Sequence, residues 1–446
     1  MIVPRNRLLL WVALIVLPFA LLGATGPAAA GTALLAVAAL GIVVAVDGFA
    51  ARRNLHGLGV ELPAIARMSK DRDAKLELRV RNDSQQARQL RLGLALPREI
   101  ESSQEDLTVA LGAASVWSQV AWPIIPRRRG RYQLDKVYLE ASSPLGFWNA
   151  RRALPAKAEI RVYPNLVAER KKMAALFLHR GTFGTHAQRQ IGKGHEFEKL
   201  REYVSGDSMD DIHWKTTAKR GRPITKVFQI ERTQEVYVVL DVSRLSARPV
   251  QRPGDAQPAP SLELYLTAAL ALGLAAEQQG DLFGLLVFSD KVNSFVRAKN
   301  GQAHYNACRD VLYTVQPQIV SPDYDEVCTY IRLRLRRRTL LIFLTALDNP
   351  ELSASFVKNV DLIRRQHLVL VNMLQPPGVA PLFSRPDAQT TDDLYERLGG
   401  HLFWQNLREL GKVLQRRGVQ FNLLGDERFS ADLISQYLRV KQRQLL

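Results

Sequence analysis

Two uncharged apolar runs lie close together at the N-terminus and limit the environments in which the chain can fold. The first, Leu8–Leu22, reads LLLWVALIVLPFALL, and the second, Thr32–Val46, reads TALLAVAALGIVVAV. Each run has about 15 apolar residues and needs part of the small, uncharged segment between them to reach the roughly 20 that cross a bilayer. The pair therefore predicts a transmembrane helical hairpin over residues 1–56.

The charges that flank the two runs predict their orientation. Arg5 and Arg7 precede the first run, Arg52 and Arg53 follow the second, and the intervening loop has no charge. By the positive-inside rule, both ends then lie in the cytoplasm, as a two-pass anchor in the inner (cytoplasmic) membrane with a cytoplasmic soluble body. A signal peptide cleaved near Ala28–Ala30 is the alternative, and it would move the body out of the cytoplasm. The second apolar run argues against cleavage.

Residues 57–164 show the period of two that is typical of strands. Short alternating segments are separated by turn signals at Asn82–Asp83 and Ser143–Pro144, which indicates an all-β domain of the sandwich type rather than a βαβ domain. The predicted strands are Lys75–Val80, Gln89–Leu96, Ser115–Trp122, Tyr132–Glu140 and Glu159–Val162.

Residues 234–446 change to apolar strands that alternate with helices, as in a doubly wound parallel sheet. The predicted strands are Glu235–Asp241, Asp281–Phe288, Thr339–Thr345, His367–Met373 and Val419–Leu423. The predicted helices are Leu262–Gln279, Gln302–Val315, Tyr324–Leu335, Glu351–Gln366, Leu394–Arg417 and Ser430–Leu438.

The chain is strongly basic, with a formal net charge of +18. Nucleic acid, an anionic membrane surface and an acidic protein can each balance such a charge. For a membrane-anchored protein, contact with anionic lipid follows most directly. The densest run, Arg332–Arg338, has no aromatic residues between its arginines, so we expect no nucleic-acid partner. A solvated helix end, an acidic partner and a lipid contact stay open for it. Cys308 and Cys328 are expected to be buried, reduced thiols.

The carboxyl end of the first α/β strand is a candidate ligand site. Asp241 and Ser243 stand where open α/β sheets bind ligands, and their spacing resembles the metal-ion-dependent adhesion site of von Willebrand factor A domains, Asp-x-Ser-x-Ser. Leu245 replaces the second Ser, and Ala346 replaces the Asp expected after the third strand. Oxygen ligands for Mg²⁺ are therefore few, and no cofactor is expected. In the alternative, Asp241 caps the following turn or pairs with a basic residue.

The segment 165–233 connects the two domains and contains a dense polar and aromatic motif. The residues that define it are Glu196, Phe197, Arg201, Tyr203, Gly206, Asp207, His213, Trp214, Lys215 and Arg220. This run resembles the hallmark of the bacterial "domain of unknown function 58" family, and the resemblance extends over nearly the whole chain. One departure is Asp210, which stands where the family commonly has Arg.

The chemistry of this hallmark favours an ordering or docking role. Phe197, Tyr203 and Trp214 are large enough to act as apolar anchors. Four of the charged hallmark residues can form a partly buried ion-pair network: Arg201, Asp207, Lys215 and Arg220. Gly206 permits a positive φ before Asp207. No nucleophile elbow, phosphate loop or metal-spaced set of histidines and cysteines accompanies them.

The resemblance implies a function through partners. Family members are commonly encoded beside MoxR-type AAA+ ATPases, which implies such an ATPase as partner, with residues 234–446 as a von Willebrand factor A-like docking domain and a client protein complex that is assembled or matured at the cell envelope. The protein is thus expected to be a scaffold or adaptor and not an enzyme. One alternative is an enzyme or enzyme subunit that uses the His195–His213 region. Another is a divalent-cation-dependent adhesion or sensing module.

Overall fold

In the computed structural model, the chain divides into two units, Met1–Asn165 and Leu166–Leu446. The structure describes residues 1–23, 27–83, 87–112, 116–179, 191–204, 208–209, 212–229, 234–251, 258–382, 384 and 390–443. Each unit is described by itself below.

The first unit begins with a short strand and two apolar helices. Strand β1 (Ile2–Pro4) precedes helix α1 (Asn6–Gly23), and helix α2 (Pro27–Arg53) follows. Within the described residues, one helical stretch, Ala30–Arg53, is long and apolar enough to cross a bilayer, whereas the apolar helix Asn6–Leu22 is shorter. The sequence predicted two membrane-spanning helices. Among the described residues, one helix is long enough to span a bilayer and the other is shorter.

Two β-sheets that share one apolar core form the rest of this unit. The first has the strand order β1-β10-β9-β5-β7 with β3 paired to β10, and the second has the order β2-β4-β8-β6. Leu76, Leu78 and Val80 alternate with charged residues along β4 and point into the core. The strands are β2 (Leu58–Glu61), β3 (Ile65–Ser69), β4 (Ala74–Asn82), β5 (Arg88–Leu94), β6 (Ile100–Glu101), β7 (Asp106–Leu111), β8 (Trp117–Pro126), β9 (Gly130–Ser142) and β10 (Trp148–Tyr163).

The C-terminal half of α2 is hydrogen-bonded to the loop between β9 and β10. Asp47 is 2% exposed, and its carboxylate accepts hydrogen bonds from the Ser143 hydroxyl at 2.6 Å and from the backbone N–H groups of Leu145 and Phe147 at 3.0 and 3.3 Å. Gly146, with φ of 77°, allows the loop to turn around this carboxylate. The helix end is thereby fixed to the β-sheet unit by charge-assisted hydrogen bonds.

The second unit begins with helix α3 and a β-hairpin that carries a short helix between its strands. Its elements are α3 (Val167–His179), β11 (Ile191–Glu202), α4 (Trp214–Arg220) and β12 (Ile224–Gln229). Strands β11 and β12 pair antiparallel, with register shifts near Glu196 and Phe197. The sequence pattern predicted a connector here, because the mixed charge of this stretch hides the period of two.

A six-stranded sheet follows in the order β17-β16-β13-β18-β19-β20, and every pair is parallel except β16–β17. The strands are β13 (Glu235–Asp241), β14 (Pro249–Val250), β15 (Ala259–Pro260), β16 (Leu282–Phe288), β17 (Val292–Lys299), β18 (Leu340–Leu344), β19 (Leu368–Leu374) and β20 (Gln420–Leu424), of which β14 and β15 form a separate small pair. The helices are α5 (Ser261–Gln278), α6 (Gln302–Leu312), α7 (Tyr324–Arg334), α8 (Pro350–Asn359), α9 (Thr391–Arg416) and α10 (Phe429–Gln442).

Helices cover both faces of this sheet. Val236, Val238 and Leu240 of β13 pack into one core with residues of α5 and α10. Tyr237 and Val239 face the opposite way, into a second core with residues of α7 and α8. Because β13 is buried on both faces, it reads as a continuous apolar run. The edge strand β17 is half-exposed and polar in part, and the sequence did not predict it.

The two cysteines lie inside these cores. Cys308 on α6 and Cys328 on α7 are free cysteines, and both are buried as predicted. Burial raises the pKa of each thiol to about 12, so neither is a reactive thiolate at neutral pH.

Candidate functional site

Asp241 lies at the carboxyl end of β13 and is 1% exposed. Its Oδ1 accepts a hydrogen bond from the Ser243 backbone N–H at 2.8 Å, and its Oδ2 accepts one from the Thr345 hydroxyl at 2.6 Å. The Tyr324 hydroxyl lies 2.9 Å from Thr345 Oγ1 and extends this network. Burial raises the pKa of Asp241, against the opposing effect of these hydrogen bonds. Both carboxylate oxygens therefore have donors within the protein.

The two positions at which the sequence departs from the adhesion-site motif are filled by apolar packing. Leu245 and Ala346 are each 7% exposed and belong to a small hydrophobic cluster with Met373, Val379 and Leu407. Leu407 is on α9, so this helix contributes to the apolar cover at the carboxyl end of the strands. The substitutions thus form one packed surface where a metal site would place oxygen ligands.

A second carboxylate near this edge has a basic partner. Asp348, two residues after Ala346, forms an ion pair with Arg248. In the part of the chain that the structure describes, no three His, Cys, Asp or Glu side chains gather where they could hold a metal ion. Asp241 and the buried Ser243 alone supply too few oxygen ligands, because a hard divalent cation prefers about six. Mg²⁺ binding at Asp241 and Ser243 stays a prediction.

Asp241 accepts two hydrogen bonds from the protein, and one of them caps the following turn as the alternative interpretation predicted. It holds the backbone of the turn at Ser243 and the start of the loop at Thr345. Reasoning from the sequence missed Thr345 and Tyr324 as its neighbours. A usable signal was present, because Thr345 directly follows β18 and the carboxyl ends of parallel strands meet at one edge.

The hallmark motif forms the second candidate site, and the hairpin β11–β12 positions it. In the backbone register, Glu196 and Phe197 of β11 face Gln229 and Phe228 of β12, and Arg201 faces Thr225. The side chains of Glu196 and Phe197 lie outside what the structure describes, as do those of residues 191–199. Gly206, Asp207 and Asp210 also lie outside the described residues.

His213 and Tyr203 tie α4 to this hairpin. The His213 ring caps α4: its Nδ1 accepts a hydrogen bond from the Thr216 backbone N–H at 3.1 Å. The backbone N–H of His213 donates to the Ile224 carbonyl at 2.7 Å, and that of Tyr203 donates to the Pro223 carbonyl at 2.9 Å. These bonds order the motif, and they occupy the nitrogen of His213 that faces the helix.

The exposure of Trp214 corrects the expectation of an apolar anchor there, whereas the predicted ion-pair network stays a prediction because Asp207 lies outside the described residues. Trp214 is 68% exposed, so it is not a buried anchor, and Lys215 and Arg220 are exposed as well. Two other large apolar side chains of this segment are in solvent: Val204 is 57% and Met209 is 73% exposed. The anchor prediction for Trp214 was wrong because a Trp at the first position of a short surface helix has no core to enter. We call Val204, Met209 and Trp214 the hallmark patch.

A family profile matches this part of the chain. Residues 199–379 match the family described as "Protein of unknown function DUF58". Residues 199–379 belong to the DUF58 family. The DUF58 region begins within β11, includes the hallmark patch and Asp241, and extends past β19. No curated protein matches the chain.

Several solved structures are similar to the chain at low overall agreement. A conserved hypothetical protein BatB from Bacteroides thetaiotaomicron has 15% identity and a TM-score of 0.31, over 47% of this chain and 99% of that one. An aerotolerance-related membrane protein from Bacteroides fragilis has 15% identity and a TM-score of 0.29, over 46% and 99%. The SpRpn10 VWA domain has 8% identity and a TM-score of 0.26, over 46% and 95%.

Proposed function

We propose that the protein is a membrane-anchored scaffold or adaptor that docks a MoxR-type AAA+ ATPase and client proteins for complex assembly or maturation at the cell envelope. The observation that carries this proposal is the exposure of the hallmark patch. A tryptophan and two further large apolar side chains within eleven residues of chain are costly to leave in water unless a partner covers them. Tryptophan is also among the residues that most often dominate binding energy at interfaces.

The charge beside the patch favours an acidic partner surface. Lys215, Lys219 and Arg220 are exposed on α4, next to Trp214. Basic residues at the rim of an apolar contact increase the association rate with an acidic partner and suppress other partners. The choice of a MoxR-type ATPase rests on the resemblance to the DUF58 family, since the chain has no phosphate-binding loop of its own.

We propose that the anchor is a two-pass hairpin in the inner membrane, with the soluble body in the cytoplasm. The full-length helix ends at Arg52 and Arg53, and Arg5 and Arg7 lie at the start of the shorter apolar helix, which favours cytoplasmic placement of both ends. The bonds of Asp47 to the β9–β10 loop would then hold the β-sheet unit against the membrane surface, where its basic residues gain from anionic lipid.

We further propose that the protein acts without a catalytic centre or a bound metal of its own. In support, the His213 ring caps α4, and both oxygens of Asp241 accept hydrogen bonds from the protein. The enzyme alternative predicts that His213→Ala abolishes a chemical activity while partner binding persists. Loss of partner binding without any loss of chemistry would favour the adaptor.

Affinity purification from native membranes in mild detergent tests the proposal, with mass spectrometry and with and without ATP. The tagged wild-type protein should retain a AAA+ ATPase in a nucleotide-dependent way. Trp214→Ala should lose it, whereas Trp117→Ala should retain it, because Trp117 is a half-exposed tryptophan in the other unit. A protein that purifies alone, or an ATPase that both variants retain equally, would contradict docking through the hallmark patch.

A further inference from the structure

A basic cavity lies beside the amino-terminal end of β13, at the opposite end of that strand from Asp241. Its volume is about 440 Å³, within the range of small-molecule sites. Four of the residues that line it are arginines, and one is a carboxylate, so the lining has a net charge of +3. The lining residues are Glu235, Tyr237, Phe295, Arg297, Arg334, Leu335, Arg336 and Arg337.

An ordered set of aromatic rings supports one wall of this cavity. Tyr237 and Phe295 stack with ring centroids 5.8 Å apart, and Tyr330 meets Phe295 edge-on at 5.6 Å. The Tyr237 hydroxyl accepts a hydrogen bond from the Ala298 backbone N–H at 3.0 Å, which fixes the ring. Gly284 of β16 makes this arrangement possible, because a Cβ at that position would overlap the Tyr237 ring. The wall is therefore rigid.

The loop that supplies two of the arginines is held in place at both ends. The Gln366 side-chain amide donates hydrogen bonds to the carbonyls of Leu335 and Arg336, at 3.2 and 2.7 Å. At the other end, Thr339 Oγ1 and His367 Nδ1 are hydrogen-bonded at 2.9 Å. Burial lowers the pKa of His367 to about 4, so this contact is neutral and stable at physiological pH. Arg336 and Arg337 thus project from a fixed backbone.

Three of the arginines are available to a ligand. Arg334 lies over the Tyr330 ring at 5.7 Å, on the last turn of α7. Arg297, Arg336 and Arg337 are exposed, and none of them forms an ion pair with another of the described residues. They come from two separate elements, the edge strand β17 and the loop after α7, and they converge on the same cavity.

We propose that this cavity binds a phosphate-bearing ligand, either a soluble phosphorylated compound or the headgroup of an anionic lipid. Guanidinium groups bind phosphate oxygens in pairs, and several of them around one cavity match a group with two or more negative charges. Glu235 accepts from a hydroxyl or amine on the body of the ligand, and the half-buried ring of Phe295 packs against it. The site differs from a solvated helix end because Arg297 faces the loop from another strand.

Isothermal titration calorimetry of the full chain in non-ionic detergent at low salt tests this proposal, with pyrophosphate as the probe. Arg297→Gln and Arg336→Gln should each raise the Kd about tenfold, because each removes a charge-assisted pair of hydrogen bonds. Arg332→Gln is the matched control. Arg332 is an exposed arginine of the same run that does not line the cavity, so its replacement should leave the Kd unchanged.

The outcomes distinguish binding at a defined cavity from nonspecific binding to positively charged surface. The melting temperature of all three variants should match the wild type, because these arginines are exposed. Absence of pyrophosphate binding, or equal weakening by Arg332→Gln, would overturn the proposal. So would a polyglutamate peptide that binds more tightly than pyrophosphate and depends on the same arginines, since the cavity would then serve an acidic protein.

A second arm identifies the source of the phosphate. The full chain is placed in nanodiscs of phosphatidylcholine alone or with phosphatidylglycerol, and the pyrophosphate titration is repeated. Competition from anionic headgroups should weaken pyrophosphate binding in the mixed nanodiscs, and the Arg332→Gln variant should show the same competition. Equal affinity in both nanodiscs assigns the cavity to a soluble phosphorylated compound. Both results support a phosphate site.

Discussion

The two ends of strand β13 have opposite character. At the carboxyl end, Asp241 is buried with both oxygens bonded to the protein, and Leu245 and Ala346 pack into an apolar cluster. At the amino end, Glu235 opens onto a cavity surrounded by arginines. Open α/β sheets ordinarily bind ligands at the carboxyl end. In this chain that end is closed by packing, and the open, charged surface is at the other end.

The carboxyl end of a strand in an open α/β sheet is therefore not by its position alone a ligand site. The residues at the carboxyl end have the spacing of a metal site, yet their hydrogen bonds hold two loops together. The hallmark patch and the arginine cavity lack such a precedent in the strand pattern, and both keep charged or apolar side chains accessible.

The largest effect on stability is expected from a charged residue introduced into the apolar cluster at the carboxyl end of the sheet. Ala346→Asp places a carboxylate in the apolar cluster without a partner and should lower the free energy of unfolding by about 3–5 kcal/mol. Ala354→Asp, at an exposed alanine of α8, is the matched control and should stay within about 0.5 kcal/mol. Denaturant or thermal unfolding of the purified protein measures both. Stabilisation of the unsubstituted protein by Mg²⁺ would show that the end is a metal site after all.

A smaller effect is expected at the wall of the arginine cavity. Gly284→Ala sets a methyl group against the Tyr237 ring and within 2.9 Å of the Ala298 backbone nitrogen, so it should cost about 1–3 kcal/mol in the free energy of unfolding. Gly399→Ala is the control, because nothing lies near that position in α9 and alanine favours a helix by about 0.5–1 kcal/mol. Thermal melting compares the two. A stable Gly284→Ala variant would contradict the rigid wall.

A pH-dependent effect is expected from Asp241. Because burial raises its pKa, the folded state holds its proton more tightly than the unfolded state, so stability falls as pH rises from the ordinary value of 3.8 towards the folded pKa. Asp241→Asn removes this titration. The melting temperature of the variant relative to the wild type should therefore increase between about pH 4 and pH 7. A pH-independent difference would mean that the carboxylate is not desolvated.

The smallest effect on stability is expected at the hallmark patch. Trp214→Ala should change the free energy of unfolding by no more than about 0.5 kcal/mol, because the side chain is 68% exposed. The same substitution should abolish partner retention. Thermal melting of the variant checks the first statement, and a large loss of stability would show that Trp214 packs in the folded protein.

Much of the fold is predictable from the sequence, and the reasons are local. The apolar runs of β13, β16, β18 and β19 are unmistakable because both faces of the sheet are covered, and the helices between them begin at strong caps such as Asp323 and Asn349. Strand β1 was missed because its three residues precede an apolar helix, and β17 was missed because an edge strand is polar in part. Strand β1 pairs with residues that lie more than a hundred positions away along the chain, and no local pattern shows that pairing.

The candidate sites were less predictable. The sequence identified Asp241 and the hallmark residues but not their exposure. Whether Trp214 is buried depends on what packs over α4, and the sequence pattern has no measure of that. The sequence showed the arginine run from Arg332 to Arg338. It did not show that Arg297, on an edge strand that was not predicted, lines the same cavity.

Site-specific photo-crosslinking in native membranes is the most direct test of docking through the hallmark patch. A photoreactive amino acid replaces Met209 or Trp214 in the hallmark patch, and Glu351, an exposed residue of α8 whose helix follows the closed end of the sheet, serves as the comparison. If the hallmark patch docks the partner, a AAA+ ATPase is captured at Met209 and Trp214 and not at Glu351. Capture at Glu351 alone, or no protein captured at the hallmark patch, would contradict it.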